Sequence, residues 1–131
     1  KFIYYNYAGT DKRFIRFSTT GVAQNENAQA TSVIIAPRNG ELSSVQIRTK
    51  SGGGNTDISF HKASNNTSLP ISNWVSTETQ TVNIANSSTT YTVNFSNSTF
   101  LNGDILGISV DPTTPTDDVN MTVVFFFDWN S

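Results

Sequence analysis

Residues 101–131, LNGDILGISVDPTTPTDDVNMTVVFFFDWNS, decide how this chain is read. They divide into a strand from Ile105 to Val110, a Pro/Thr/Asp loop, and a final strand from Val119 to Trp129. Side chains alternate along a strand, so Val119, Met121, Val123, Phe125, Phe127 and Trp129 share one face. The opposite face opens polar at Asn120 and Thr122, then turns apolar at Val124 and Phe126. A strand that is apolar on both faces needs cover on both. A short chain has little material for a second cover. The sequence therefore points to another subunit lying over Val124, Phe126 and Trp129; the alternative is a central strand in a thick sandwich.

The rest of the chain follows the same grammar. β-branched and aromatic runs bounded by turn residues recur, and no stretch sustains the apolar spacing of a helix. Phe2 to Tyr7, Lys12 to Phe17, Thr31 to Ala36, Leu42 to Thr49, Asp57 to Lys62, Thr79 to Ile84 and Thr90 to Phe95 read as further strands. The turn Pro37-Arg38-Asn39-Gly40 ends one of them, and the polar stretch Gly21 to Ala30 suits a connection crossing between sheets. Eight to ten short strands predict an all-β protein, an antiparallel β-sandwich of jelly-roll type. At 131 residues the chain fits a single domain, 1–131, with residues 1–30 as an N-terminal arm or interface segment.

Composition narrows the function classes. Charged residues make up 14 % of the chain and the net charge is −2, which gives no electrostatic reason to expect nucleic acid as a partner. No run approaches the roughly 20 apolar residues of a membrane-spanning helix, so no membrane insertion is expected. Cysteine is absent, which removes disulfide frameworks and thiolate chemistry and tilts the source towards prokaryote or virus. No signal peptide is visible, and a chain that starts at Lys1 is expected to be processed or cut from a longer protein.

Candidate chemistry is sparse. His61 is the one histidine, and it falls on the polar face of its strand, opposite Ile58 and Phe60, where a solvent-facing side chain is expected. Neither a G-x-S-x-G elbow nor an H-E-x-x-H helix accompanies it, so no catalytic residue is assigned. Asp111, Asp117 and Asp118 surround one loop and could offer oxygen ligands to calcium, but aspartates are also ordinary loop residues. No metal and no cofactor is called for. Aromatic faces can stack on sugar rings, and Trp74 is the candidate platform here, ahead of Tyr4, Tyr5, Tyr7 and Trp129. The loops Gly52 to Asn55, Asn65 to Ser68 and Pro112 to Asp118 supply candidate ligand contacts, notably Asn55, Asn66 and Asp117.

Three segments together carry a resemblance. Ala36-Pro37-Arg38-Asn39-Gly40-Glu41-Leu42 followed by Val45-Gln46-Ile47, with Phe60-His61-Lys62 after it, is similar to an "APxxGxL…V.I" opening. Asn102 to Pro112 resembles an "aGDxlaisfDPT" segment, and Val119 to Asp128 resembles a closing "VNvTvvfeyD" strand. In order and spacing these resemble a β-sandwich domain of tailed-bacteriophage virion proteins, tail-fibre-like and capsid-appendage proteins of marine and cyanobacterial phages. The likeness covers most of residues 31 to 129. Where such chains often end in Glu-Tyr-Asp, this one has Phe126-Phe127-Asp128, a more apolar ending. The resemblance implies a virion part, commonly a homotrimer, in contact with other virion proteins and carrying no catalytic residues. The expected function is an outward-facing domain, a tail-fibre tip that binds a host surface glycan through many weak sites. The alternatives are a capsid decoration protein that stabilises the shell, a free-standing carbohydrate-binding lectin, and, needing a cleft with paired carboxylates, a sugar-cleaving enzyme.

Overall fold

The computed structural model describes residues 2–5, 12–15, 17, 32–50, 52, 54–86, 89–115 and 119–128, the first four by their backbone alone. Among them run ten strands: β1 (Phe2–Tyr5), β2 (Arg13–Phe14), β3 (Ile34–Ile35), β4 (Gly40–Arg48), β5 (Gly54–Ala63), β6 (Glu78–Ile84), β7 (Tyr91–Asn94), β8 (Thr99–Phe100), β9 (Ile105–Pro112) and β10 (Val119–Phe127). Every pairing is antiparallel, in two five-stranded sheets. Sheet A has the order β1-β10-β4-β7, with β8 also on β4; sheet B has the order β2-β9-β5-β6, with β3 also on β9. The chain is thus the all-β, two-sheet protein that its patterning predicts. The loop expected at Gly21 to Ala30 lies outside the described residues.

The main core lies between the sheets. Sheet A contributes Leu42, Val45, Ile47, Val93, Val119, Met121 and Val123, and sheet B contributes Ile58, Phe60, Ile84, Leu106, Ile108 and Val110. In β4 strict alternation would turn either Leu42 or Val45 outward, since they are three apart. A register shift solves this: Val124 faces Ser44 while Phe125 faces Leu42, so Ser43 is an extra residue on β4. The Ser43 carbonyl is not wasted, because the Phe95 amide donates to it at 2.9 Å.

β9 is buried along both faces. Leu106, Ile108 and Val110 enter the main core. The other face, Ile105, Gly107 and Ser109, lies under a second cluster built from Phe14, Trp74 and Ile105, with Val33, Ala63 and Ile71 packed around it. The cover is the segment 64–77, which connects β5 to β6 and folds back over the outside of sheet B. This corrects the placement of His61. Its face of β5 is not a solvent face, because Phe14 and Trp74 roof it over, and the side chain is fully buried.

Glu78, at the start of β6, ties the two sheets together. Its carboxylate accepts hydrogen bonds from the Ser96 amide (3.0 Å), the Asn97 amide (2.7 Å) and the Gln80 side chain (2.7 Å). Burial alone would raise its pKa, but those donors to the ionised form outweigh it and hold the carboxyl below its ordinary value. The turn between β7 and β8 is therefore anchored from the opposite sheet. Glu78→Gln is expected to destabilise the fold by about 1–2 kcal/mol at pH 7, the worth of charge-assisted bonds to a carboxylate. A depressed carboxyl pKa stabilises above the ordinary range and loses that effect as pH falls through the folded value. Urea unfolding should accordingly show the gap between wild type and variant narrowing as pH falls below the ordinary carboxylate range.

Candidate functional site

The three segments that carry the resemblance meet at one end of the sandwich. The Ala36 amide donates to the Asp104 carbonyl (2.9 Å) and the Gly103 amide to the Ala36 carbonyl (2.8 Å). Asn39 reaches two neighbours: its Oδ1 accepts from the Asn102 amide (2.8 Å) and its carbonyl from the Asp128 amide (2.8 Å). Asp104 Oδ2 accepts from the Leu101 amide at 2.8 Å and closes the turn, in which Gly103 has φ +90°, a conformation that suits glycine. Beneath this knot sits an aromatic plug. Phe100 meets Phe60 of sheet B at 6.2 Å and its neighbours Phe125 and Phe127 edge-on at 5.8 and 5.9 Å.

Above the plug lies an open groove of about 250 Å³, lined by Gly40, Glu41, Thr99, Phe126, Phe127 and Asp128. Phe126 is 58 % exposed there, while Val124 on the same face is half-buried. Trp129 lies outside the described residues. Around Val124 and Phe126 the outer face of sheet A is polar, with Ser44, Gln46, Thr92, Asn94, Asn120 and Thr122 on the paired positions. Ile35 and Leu101 are also exposed, and both belong to the segments joined at this end. The groove thus offers an aromatic face, a hydroxyl and two carboxylates: a surface for contact.

The other predicted contacts do not gather here. Asn55 is exposed at the opposite end, where its carbonyl accepts from the Thr113 amide (3.1 Å) and the hydroxyls of Thr113 and Thr114 crowd Gly54. Asn66 is exposed near the groove end, in the stretch whose Asn65 lies against Gly103. β5 runs from one end to the other, so the two sets stand about 30 Å apart. Asp117 and Asp118 lie outside the described residues, and among those described no three His, Asp or Glu side chains converge as a metal site would require.

Trp74, expected as a sugar platform, is buried. Phe14 stacks on it at 5.7 Å, His61 lies at 5.2 Å, and its indole N–H donates to the Lys62 carbonyl at 3.3 Å. It rests on Gly107, where a Cβ would come within 2.6 Å of the ring. A glycine inside a strand marks such a close approach, and that was the available signal.

Sequence patterning also misses a buried serine–histidine pair. His61 Nε2 lies 2.8 Å from Ser109 Oγ. The hydrogen bond is that of a base and a nucleophile. A triad would place an orienting carboxylate on Nδ1, but this atom has no hydrogen-bond partner, and both side chains are sealed from solvent. Burial, and next the positive charge of Lys12, push the imidazole down to about 4, against a smaller opposing effect of the Val75 and Trp74 backbone. His61 is therefore neutral near pH 7.

No protein-family model matches the chain, and no curated protein is significantly similar to it.

The plug and the groove should respond differently to mutation. Phe100→Ala is expected to cost about 3–5 kcal/mol, as for a buried phenylalanine. Phe126→Ser in the isolated chain should shift stability by no more than about 0.5 kcal/mol. Denaturant unfolding of both variants checks the contrast.

Proposed function

We propose that this protein is a non-enzymatic structural and adhesive domain, a jelly-roll module on the outside of a tailed-phage virion that works as a homotrimer. Support for the jelly-roll type comes from the nesting of its pairs: β1 with β10, β2 with β9, β4 with β7, β5 with β6. Jelly rolls serve in capsids and lectins alike. The observation that carries the oligomer is Phe126, a large apolar ring 58 % exposed beside Val124 on a face of sheet A that the described residues do not roof. Sheet B spends its connecting segment on its own outer face; sheet A receives no such cover from the described residues. A sister subunit over the Phe126 end supplies it.

That assignment leaves the far end, with Asn55 and Thr113 to Pro115, as the surface for a host glycan. Asn66 lies at the Phe126 end and is set aside as a glycan contact, as is the buried Trp74. Many weak sites held on one rigid assembly bind a cell surface through avidity.

Light scattering after size exclusion is the direct test. The expected mass is about three times the 14.3 kDa chain, and Phe126→Glu should reduce it to the monomer by placing an unpaired charge in the interface. A wild-type monomer would sink the trimer. Asn55→Ala should leave the mass alone and weaken retention on host polysaccharide at least several-fold; unchanged retention would remove that end from recognition.

A further inference from the structure

We propose that segment 64–77 is an acid-released cover, held shut over the outer face of sheet B by neutral His61 and opened when that ring takes a proton. The inference is independent of the virion reading. Four observations carry it. His61 is fully buried, and its Nδ1 makes no hydrogen bond in the closed state. Its ring is held between Phe14 at 4.7 Å and Trp74 at 5.2 Å, an aromatic slot without water-facing walls. Trp74 belongs to the cover, so the group that must be hydrated and the lid that prevents it are in contact. Finally, the cluster under the cover is distinct from the main core, so the lid can lift while the sandwich stays packed.

Among the described residues no carboxylate is placed to compensate the new charge, and the Val75 and Trp74 backbone favours the charged ring by less than burial opposes it. The cover itself, SNNTSLPISNWVST, contains no ionisable side chain. From the β2 side comes Lys12, of the wrong sign, with its ammonium 5.8 Å from the centre of the Phe14 ring; Arg13 projects to the other face of its strand. On β5, Lys62 turns away to the Thr99 carbonyl at 2.7 Å, and Asp57, four residues before His61, accepts from Thr81. On β9, Asp111 stands two residues beyond Ser109, opposite Asp57 in the register. On β6, Glu78 is engaged by the turn at Ser96 and Asn97.

The sign follows from the direction of the shift. A histidine whose pKa is lowered in the closed state favours closure above the ordinary value of 6.5, and that preference drains away as pH falls from 6.5 towards about 4. With the open-state pKa at its ordinary value, the closing equilibrium weakens about a hundredfold between pH 7 and pH 4.

The experiment uses the lone histidine and the Trp74 indole as reporters. His61 ring carbon shifts are followed by NMR in the unmodified protein from pH 7 to pH 3.5. In Trp129→Phe, acrylamide quenching and exchange of the Trp74 indole N–H report the cover, and far-UV circular dichroism reports the sheets. The expected result is a reversible gain of quenching and a loss of indole protection of about a hundredfold by pH 4, tracking the histidine titration while the sheet signal holds. His61→Gln should abolish the change in that window. Three results overturn the proposal: Trp74 still shielded at pH 4, loss of cover and sheets together, or the same opening in His61→Gln. Should that variant not fold, the coincidence or separation of the histidine, indole and sheet transitions in the chain with histidine intact decides.

Discussion

The pairing of β9 with β5, unbroken from Thr56 against Pro112 to Ala63 against Ile105, sets the terms for everything around it. It puts β9 between β5 on one side and β2 and β3 on the other, so its backbone bonds are met along both edges. Its side chains then have two faces to bury. One is filled by the opposite sheet. The other can be filled only by chain that leaves the sandwich and returns, and segment 64–77 does so. Size complementarity fixes how: Gly107 leaves room for the Trp74 ring, and Ser109 is small enough to sit beneath the His61 imidazole and bond to it. The cost is a polar nitrogen buried without a partner.

Most of the strand framework is legible in the sequence, because period-two patterning is a local property. The final strand, the alternation around Val45 and Ile47, and the turn at Asn102 to Asp104 can all be read residue by residue. Other features cannot. β8 is two residues long, too short to show a period. The Ser43 bulge shows only in the register against β10. The largest misplacement has one cause: a strand's polar face is read as a solvent face, and the sequence of β5 does not say that Phe14 and Trp74 come from elsewhere to cover it. His61 and Trp74 were therefore both expected at the surface, and each is buried by the other.

The same blindness affects the question of which strand is covered twice. Patterning points to β10, where Val124 and Phe126 add apolar character to the outer face. Within the chain itself β9 is buried on both faces along nearly its whole length, and its second face reads as unremarkable because it carries glycine and serine. On β10 the inward phenylalanines Phe125 and Phe127 close the aromatic plug, and Phe126 is left facing out. The candidate contact residues among those described are thereby sorted towards two ends. The turns around Asn39 and Asn102 to Asp104 are knotted to Asp128 at one, and the Asn55 loop stands at the other.

The nesting of strand pairs also constrains how the chain acquires its shape. β1 pairs with β10 and β2 with β9, so each sheet needs residues from both ends of the polypeptide. Sequence-distant pairings are slow to close because the loop between them must be ordered first. During synthesis, the early strands emerge long before their partners exist. Among the described strands, the β5–β6 hairpin, with the Trp74 segment it carries, is the pairing local enough to form early. A chain cut short before β10 would leave β1 and β4 with open edges, the form in which strands of separate molecules pair with one another. Completion of the last strand is thus the event that turns an adhesive intermediate into a closed particle.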